Sequence, residues 1–164
     1  MPRSDGQVLA RWSGRLTGVD CTPLEFFELV QVDVLETQLP DIRFARITRR
    51  ENGPFSANRI YFRVRCDRLF FDVTAFVSGR VLAVGYWLHA DWPGLQDLFF
   101  EFPFVGSLIE RAVRPTTYYG VDQLENFQHI VHDSILRVLD DLSSRNSTAT
   151  LPDDERQPIW EEIR

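Results

Sequence analysis

Residues 59–91, RIYFRVRCDRLFFDVTAFVSGRVLAVGYWLHAD, constrain the fold more than any other stretch, because they read as three consecutive strands joined by two short loops. A two-residue loop at Asp67-Arg68 places Arg63 opposite Asp72 and gathers Ile60, Phe62, Val64 and Cys66 on one side with Leu69, Phe71, Val73 and Ala75. A second loop at Gly79-Arg80, with glycine first as a type II′ hairpin prefers, places Asp72 opposite Trp87 and adds Leu82, Val84 and Tyr86 to the same side. Two turns chosen independently thus give one apolar face. A slip of one residue in either strand would turn those side chains to water.

The same registers define an opposite face carrying Tyr61, Arg63, Phe70, Asp72, Phe76, Trp87 and His89. A solvated face does not ordinarily hold that many aromatic rings. Two readings follow: part of this face is covered by the chain itself, with Arg63 and Asp72 paired at the rim, or the face is a contact surface for a partner.

Length and composition narrow the classes. The chain has 164 residues, 44% of them apolar and 13% aromatic, enough for one domain with a sizeable core. All 18 basic residues are arginine, which coding bias in a GC-rich genome explains. The absence of lysine excludes Schiff-base and P-loop lysine chemistry on this chain. A net charge of −6 and the lack of a basic run argue against a nucleic-acid partner. Cys21 and Cys66 are the two cysteines; Cys66 falls on the predicted core face, so no structural disulfide is expected and a reducing compartment fits. No leader-like apolar segment opens the chain and no window reaches the ~18 apolar residues of a transmembrane segment, so the expected location is cytoplasmic.

In chain order, residues 1–21 suggest an arm or short strand lying on the body. Thr22-Pro23-Leu24-Glu25 opens a helix, with Thr as cap and Glu positioned to close a capping box; the helix stops before Pro40 and turns Phe27, Val30 and Val34 inward, widened by Phe26 and Leu29. Ile42–Arg50 is a first strand, which completes a four-stranded meander. Leu95 to Val113 reads as a helix interrupted at Pro103, and its Phe-rich part, with Phe99, Phe100, Phe102 and Phe104, is either buried under the sheet or an interfacial contact with a membrane or a subunit. Asp122 caps a long helix whose Leu124, Phe127, Val131, Ile135, Val138 and Leu142 recur at spacings of three and four. Residues 143–152 have linker composition, and residues 153–164 place Ile159, Trp160 and Ile163 on one side, as a docking tail does.

Reactive chemistry has two weak footholds. His129 and His132 sit three apart on the last helix with Glu125 and Asp133 nearby, a spacing used in metal sites only when a second helix supplies further ligands. Cys21 precedes a helix N-terminus, where the macrodipole can lower a thiol pKa, and a histidine brought beside it could act as its base. Motifs for serine hydrolases, zincins, dinucleotide binding and P-loops are missing.

The blocks FSANRIYFRV, RPTTYYGVDQLENFQHIVHDSILRVLDDL and ERQPI, which together span roughly residues 54–159, resemble those of a family of short bacterial proteins that carries no known activity. The resemblance implies a bacterial origin and assigns no catalytic residue. In element order alone the chain also resembles the ubiquitin-conjugating and RWD-type fold. It departs from the conjugating enzymes in having neither a cysteine after the fourth strand nor a Tyr-Pro motif before it, so that likeness implies at most an inactive, protein-binding relative.

The expectation is therefore an α+β domain over residues 1–142, built as an N-terminal helix, a four-stranded antiparallel meander, a Pro-interrupted helix and a long C-terminal helix, then the linker and the tail. Its expected function is a non-catalytic protein-interaction or assembly module. It would act without a cofactor through the aromatic sheet face or the Phe-rich connector, with Trp160 as a tail anchor and a second copy as the simplest partner. The alternatives are a Cys/His or metal-dependent enzyme and a peripheral membrane-surface protein.

Overall fold

The computed structural model describes residues 7–50, 58–91 and 118–161. The elements are β1 (Gln7–Thr17), α1 (Pro23–Glu36), β2 (Ile42–Arg50), β3 (Asn58–Cys66), β4 (Leu69–Ser78), β5 (Val81–Ala90), α2 (Tyr118–Arg145) and β6 (Ile159–Trp160). The fold is α+β, dominated by a six-stranded antiparallel sheet of order β2-β3-β4-β5-β1-β6. The two helices among the described residues pack on one face: Phe27 of α1 stacks on Phe62 of β3, and Phe127 of α2 meets Phe71 of β4 edge-on.

This overturns the expected helix-first layout with four strands. The chain enters through β1, which pairs along its length with β5 and extends the meander on its far side. Its even positions Ala10, Trp12 and Leu16 are buried while Arg11, Ser13, Arg15 and Thr17 are exposed, which is the alternation of a strand packed on one face. A bulge between Val8 and Ala10 admits the extra residue Leu9, also buried, and interrupts the period that marks the strand in the sequence. The Pro-interrupted helix expected over 95–113 lies outside the described residues. Among the described residues no helix is long and apolar enough to cross a membrane.

The meander registers follow from its loops. Arg63 faces Asp72 and Asp72 faces Trp87. In both loops the first residue carries a positive φ, +52° at Asp67 and +62° at Gly79, so neither following arginine takes the left-handed conformation. The inner face then buries Phe62, Val64, Phe71, Val73, Leu82, Val84, Tyr86 and Leu88.

Helix α1 begins with a complete capping box. The Thr22 N–H donates to Glu25 Oε2 at 2.7 Å and the Glu25 N–H donates to Thr22 Oγ1 at 3.2 Å. Helix α2 starts at Tyr118, ahead of Asp122, and runs two residues past Ser143, which is buried and donates to the Leu139 carbonyl. It ends in a Schellman turn: the N–H groups of Ser147 and Thr148 donate to the carbonyls of Ser144 and Ser143 at 3.3 and 2.9 Å. Ser147 occupies the left-handed position, φ +52°, where glycine is usual, at a cost of about 1 kcal/mol or more.

The turn sends residues 151–161, here called the strap, back along α2 and β1. Leu151 is buried beside Gly14, where a Cβ would lie 2.9 Å from the Trp12 ring and 3.0 Å from Leu151 Cδ1. The strap ends as β6, whose Trp160 and Ile159 pair with Ala10 and Arg11. Gly14→Ala is therefore expected to displace the indole or Leu151 and to cost about 1–3 kcal/mol, the usual penalty of overpacking, read from the urea midpoint at unchanged m-value.

Candidate functional site

On the outer face of the sheet, the side away from the helices, β4 places Asp72 between Arg63 of β3 and Trp87 of β5. The Asp72 side chain is 3% exposed. Arg63 grips it with two parallel bonds, Nε to Oδ1 and Nη2 to Oδ2, both 2.7 Å. Arg49 approaches Oδ2 at 3.4 Å and His89 Nε2 lies 3.9 Å from it. A carboxylate removed from water this far is tolerable only with such partners.

The rings of this face form one cluster with that pair. The Arg63 guanidinium lies 4.1 Å from the Phe70 ring centre, and the His89 imidazole stacks on the same ring at 4.8 Å with an interplanar angle of 6°. Phe70 is consequently buried. Tyr61 tilts toward Trp87, centroids 6.3 Å apart, with Arg49 over its ring at 5.9 Å. Trp87 stays 37% exposed and Phe76, further along β4, is 57% exposed. The structure thus brings Tyr61, Arg63, Phe70, Asp72, Trp87 and His89 together and sets Phe76 apart. Phe99, Phe100, Phe102 and Phe104 lie outside the described residues.

A second feature is a cleft of about 720 Å³ between the first half of α2 and the strap. Glu125, His129 and Asp133 line it from the helix, and Asp153, Gln157, Pro158 and Trp160 from the strap, with Gln128 and His132 buried beneath. Arg156 also borders it, its guanidinium bonded to both oxygens of Asp140 at 2.9 and 2.7 Å.

His132 is occupied on both ring nitrogens. Its Nε2–H donates to the Arg156 carbonyl at 2.8 Å, since a carbonyl can only accept; the Tyr86 hydroxyl, 3.0 Å from Nδ1, donates to that nitrogen in the neutral ring. Burial lowers the His132 pKa, with the Arg156 carbonyl and Asp133 pulling the other way and His129 and Arg156 adding to the depression. Burial likewise holds the Tyr86 phenol far above its ordinary range. His129, three residues earlier, is exposed at the cleft. Among the described residues no group of three or more His, Cys, Asp or Glu side chains is placed to hold a metal ion.

Cys21 is buried and its thiol pKa is raised, first by burial and then by Glu25 and Asp20, the opposite of activation at a helix N-terminus. It sits at the far end of α2, where the adjacent Asp20 N–H donates to Asn146 Oδ1 at 3.3 Å. His132 lies thirteen residues before Arg145 in that helix, about 20 Å along the axis at 1.5 Å per residue. Cys21 and the helix histidines are therefore not brought together. Sequence reading placed Tyr86 on the core face without its bond to His132 and gave no role to Asp140 and Arg156, which lie on a regular helix and in a polar tail with no spacing that marks them as partners.

No family model, curated protein or solved structure matches the chain.

Two measurements test this geometry. Asp72→Ala leaves Arg63 largely buried without its carboxylate and should cost on the order of 3–5 kcal/mol by denaturant titration. Because the folded state disfavours protonated His132, the stability it contributes is complete above the unfolded histidine pKa of about 6.5 and is lost as pH falls through the lower folded value. Urea midpoints measured across that window should decline in the natural protein and decline less in His132→Gln; equal declines would mean that other groups carry the effect.

Proposed function

We propose that this protein is a non-catalytic interaction module that docks a protein partner on the outer face of its sheet around Trp87. The observation that carries the reading is the exposed indole of Trp87 beside a base that is already ordered. Its cross-strand neighbour is the buried Asp72, clamped by Arg63, and Tyr61 flanks it. A large ring held on fixed neighbours loses little entropy when a partner covers it, which is why tryptophan and tyrosine recur as interface anchors. Phe76 on the same face extends the apolar contact. The basic side chains around the anchor supply a polar rim.

The reading is tested with a photo-reactive residue at position 76, compared with one at position 145 at the end of α2. The expected result is a protein adduct of defined mass at 76, absent at 145, that disappears when Trp87→Ala is added while the thermal midpoint stays within a few degrees. Adducts of equal yield at both positions, or an adduct at 76 indifferent to Trp87→Ala, would refute it.

A further inference from the structure

We propose that the strap is exchanged between two copies of this chain, so that β1 of each protomer takes β6 of the other. This goes beyond the sheet-face reading and uses a different surface. Among the described residues, the strap's polar contacts run to β1 and α2. The Trp12 indole N–H donates to the Glu155 carbonyl at 2.8 Å, His132 to the Arg156 carbonyl at 2.8 Å, and the Glu161 N–H to the Leu9 carbonyl at 3.1 Å. Arg156 is clamped on Asp140, and Arg11 Nε meets Glu161 Oε1 at 2.7 Å. These partners fit the strap of a neighbouring copy as well as they fit this one, because none of them involves the turn that joins the strap to α2.

The cost of docking within one chain is concentrated in that turn. Ser147 is in the left-handed region without being glycine, and Thr148 Oγ1 is buried with no hydrogen-bond partner among the described residues. The following Thr148 methyl sits where a Cβ on Gly18 would come within 2.8 Å. If Asn146 and Ser147 continue the helix instead of reversing it, both costs vanish and the strap projects from the molecule. Every strap contact is then available on a second copy. A short, strained hinge joined to a fully complementary docked segment is the condition under which exchange is favoured.

The test uses full-length chains in a Cys66→Ser background. Arg11 and Ile159 face each other across β1 and β6, so one tagged population carries Arg11→Cys and another carries Ile159→Cys. After co-incubation at high concentration and mild oxidation, exchange gives a disulfide between the two tags. Its yield should be several-fold above that obtained when Arg43→Cys, on the opposite edge strand, replaces Arg11→Cys. Ser147→Gly, which relieves the turn, should lower that yield several-fold, and Ser147→Ala, which disfavours a positive φ while favouring a continued helix, should raise it. A single chain carrying both Arg11→Cys and Ile159→Cys reports where the strap sits. If it closes only on itself, and the mixed chains cross-link no better than the Arg43→Cys control, the strap docks in its own chain alone and exchange is overturned. Should the alanine variant not fold, the glycine variant still decides: an unchanged yield refutes the strained hinge and with it the proposed exchange.

Discussion

Two loops of two residues each, at Asp67-Arg68 and Gly79-Arg80, decide which side chains of three strands point at the helices and which point away. Everything else in the structure answers to that division. The inward set is almost wholly apolar and supplies the floor on which Phe27 and Phe127 pack. The outward set contains a pairing that a displaced register would destroy outright, Arg63 with Asp72. Registry is thereby enforced twice, by the apolar area that would be exposed on one side and by the charge that would be stranded on the other.

The outer face shows how charge and aromatic rings stabilise each other on a sheet with few carboxylates. Asp72 is the acid within the described strands of that face, and it draws Arg63, Arg49 and His89 toward one point. Phe70 then serves as a platform on which Arg63 and His89 rest, covering the face of the guanidinium and of the imidazole. Trp87 thus stands beside an aspartate clamped by Arg63.

The edge of the sheet is managed differently. Strand β1 is eleven residues long, yet β6 pairs with it at only two positions, and the rest of the strap meets it through side chains, Trp12 on the Glu155 carbonyl and Leu151 beside Gly14. Trp12 and His132 hold that segment by the carbonyls of Glu155 and Arg156, and its own Arg156 side chain donates to Asp140 of α2. Fastening a polar tail through its main chain explains why the segment can be rich in charge and still be ordered. It also places the strain of reversal on Ser147, outside the docked part.

What was legible in the chain of residues is what local chemistry decides. The loop residues set the meander registers, the Thr22/Glu25 box started α1, and spacings of three and four gave the buried face of α2. The sequence reading of residues 1–21 as an arm or short strand left the length and the pairing of β1 open, because the extra residue Leu9 interrupts the alternation and because a strand's place in a sheet depends on a partner more than sixty residues away. The layout of six strands was decided by that pairing, and so was the correction of the helix-first order. The depth of Asp72, the separation of Cys21 from His132 and the hold of His132 on Arg156 were likewise tertiary outcomes. They arise from side chains distant in sequence meeting in space, and hydrophobic periodicity records which face a residue takes without recording what it will meet there.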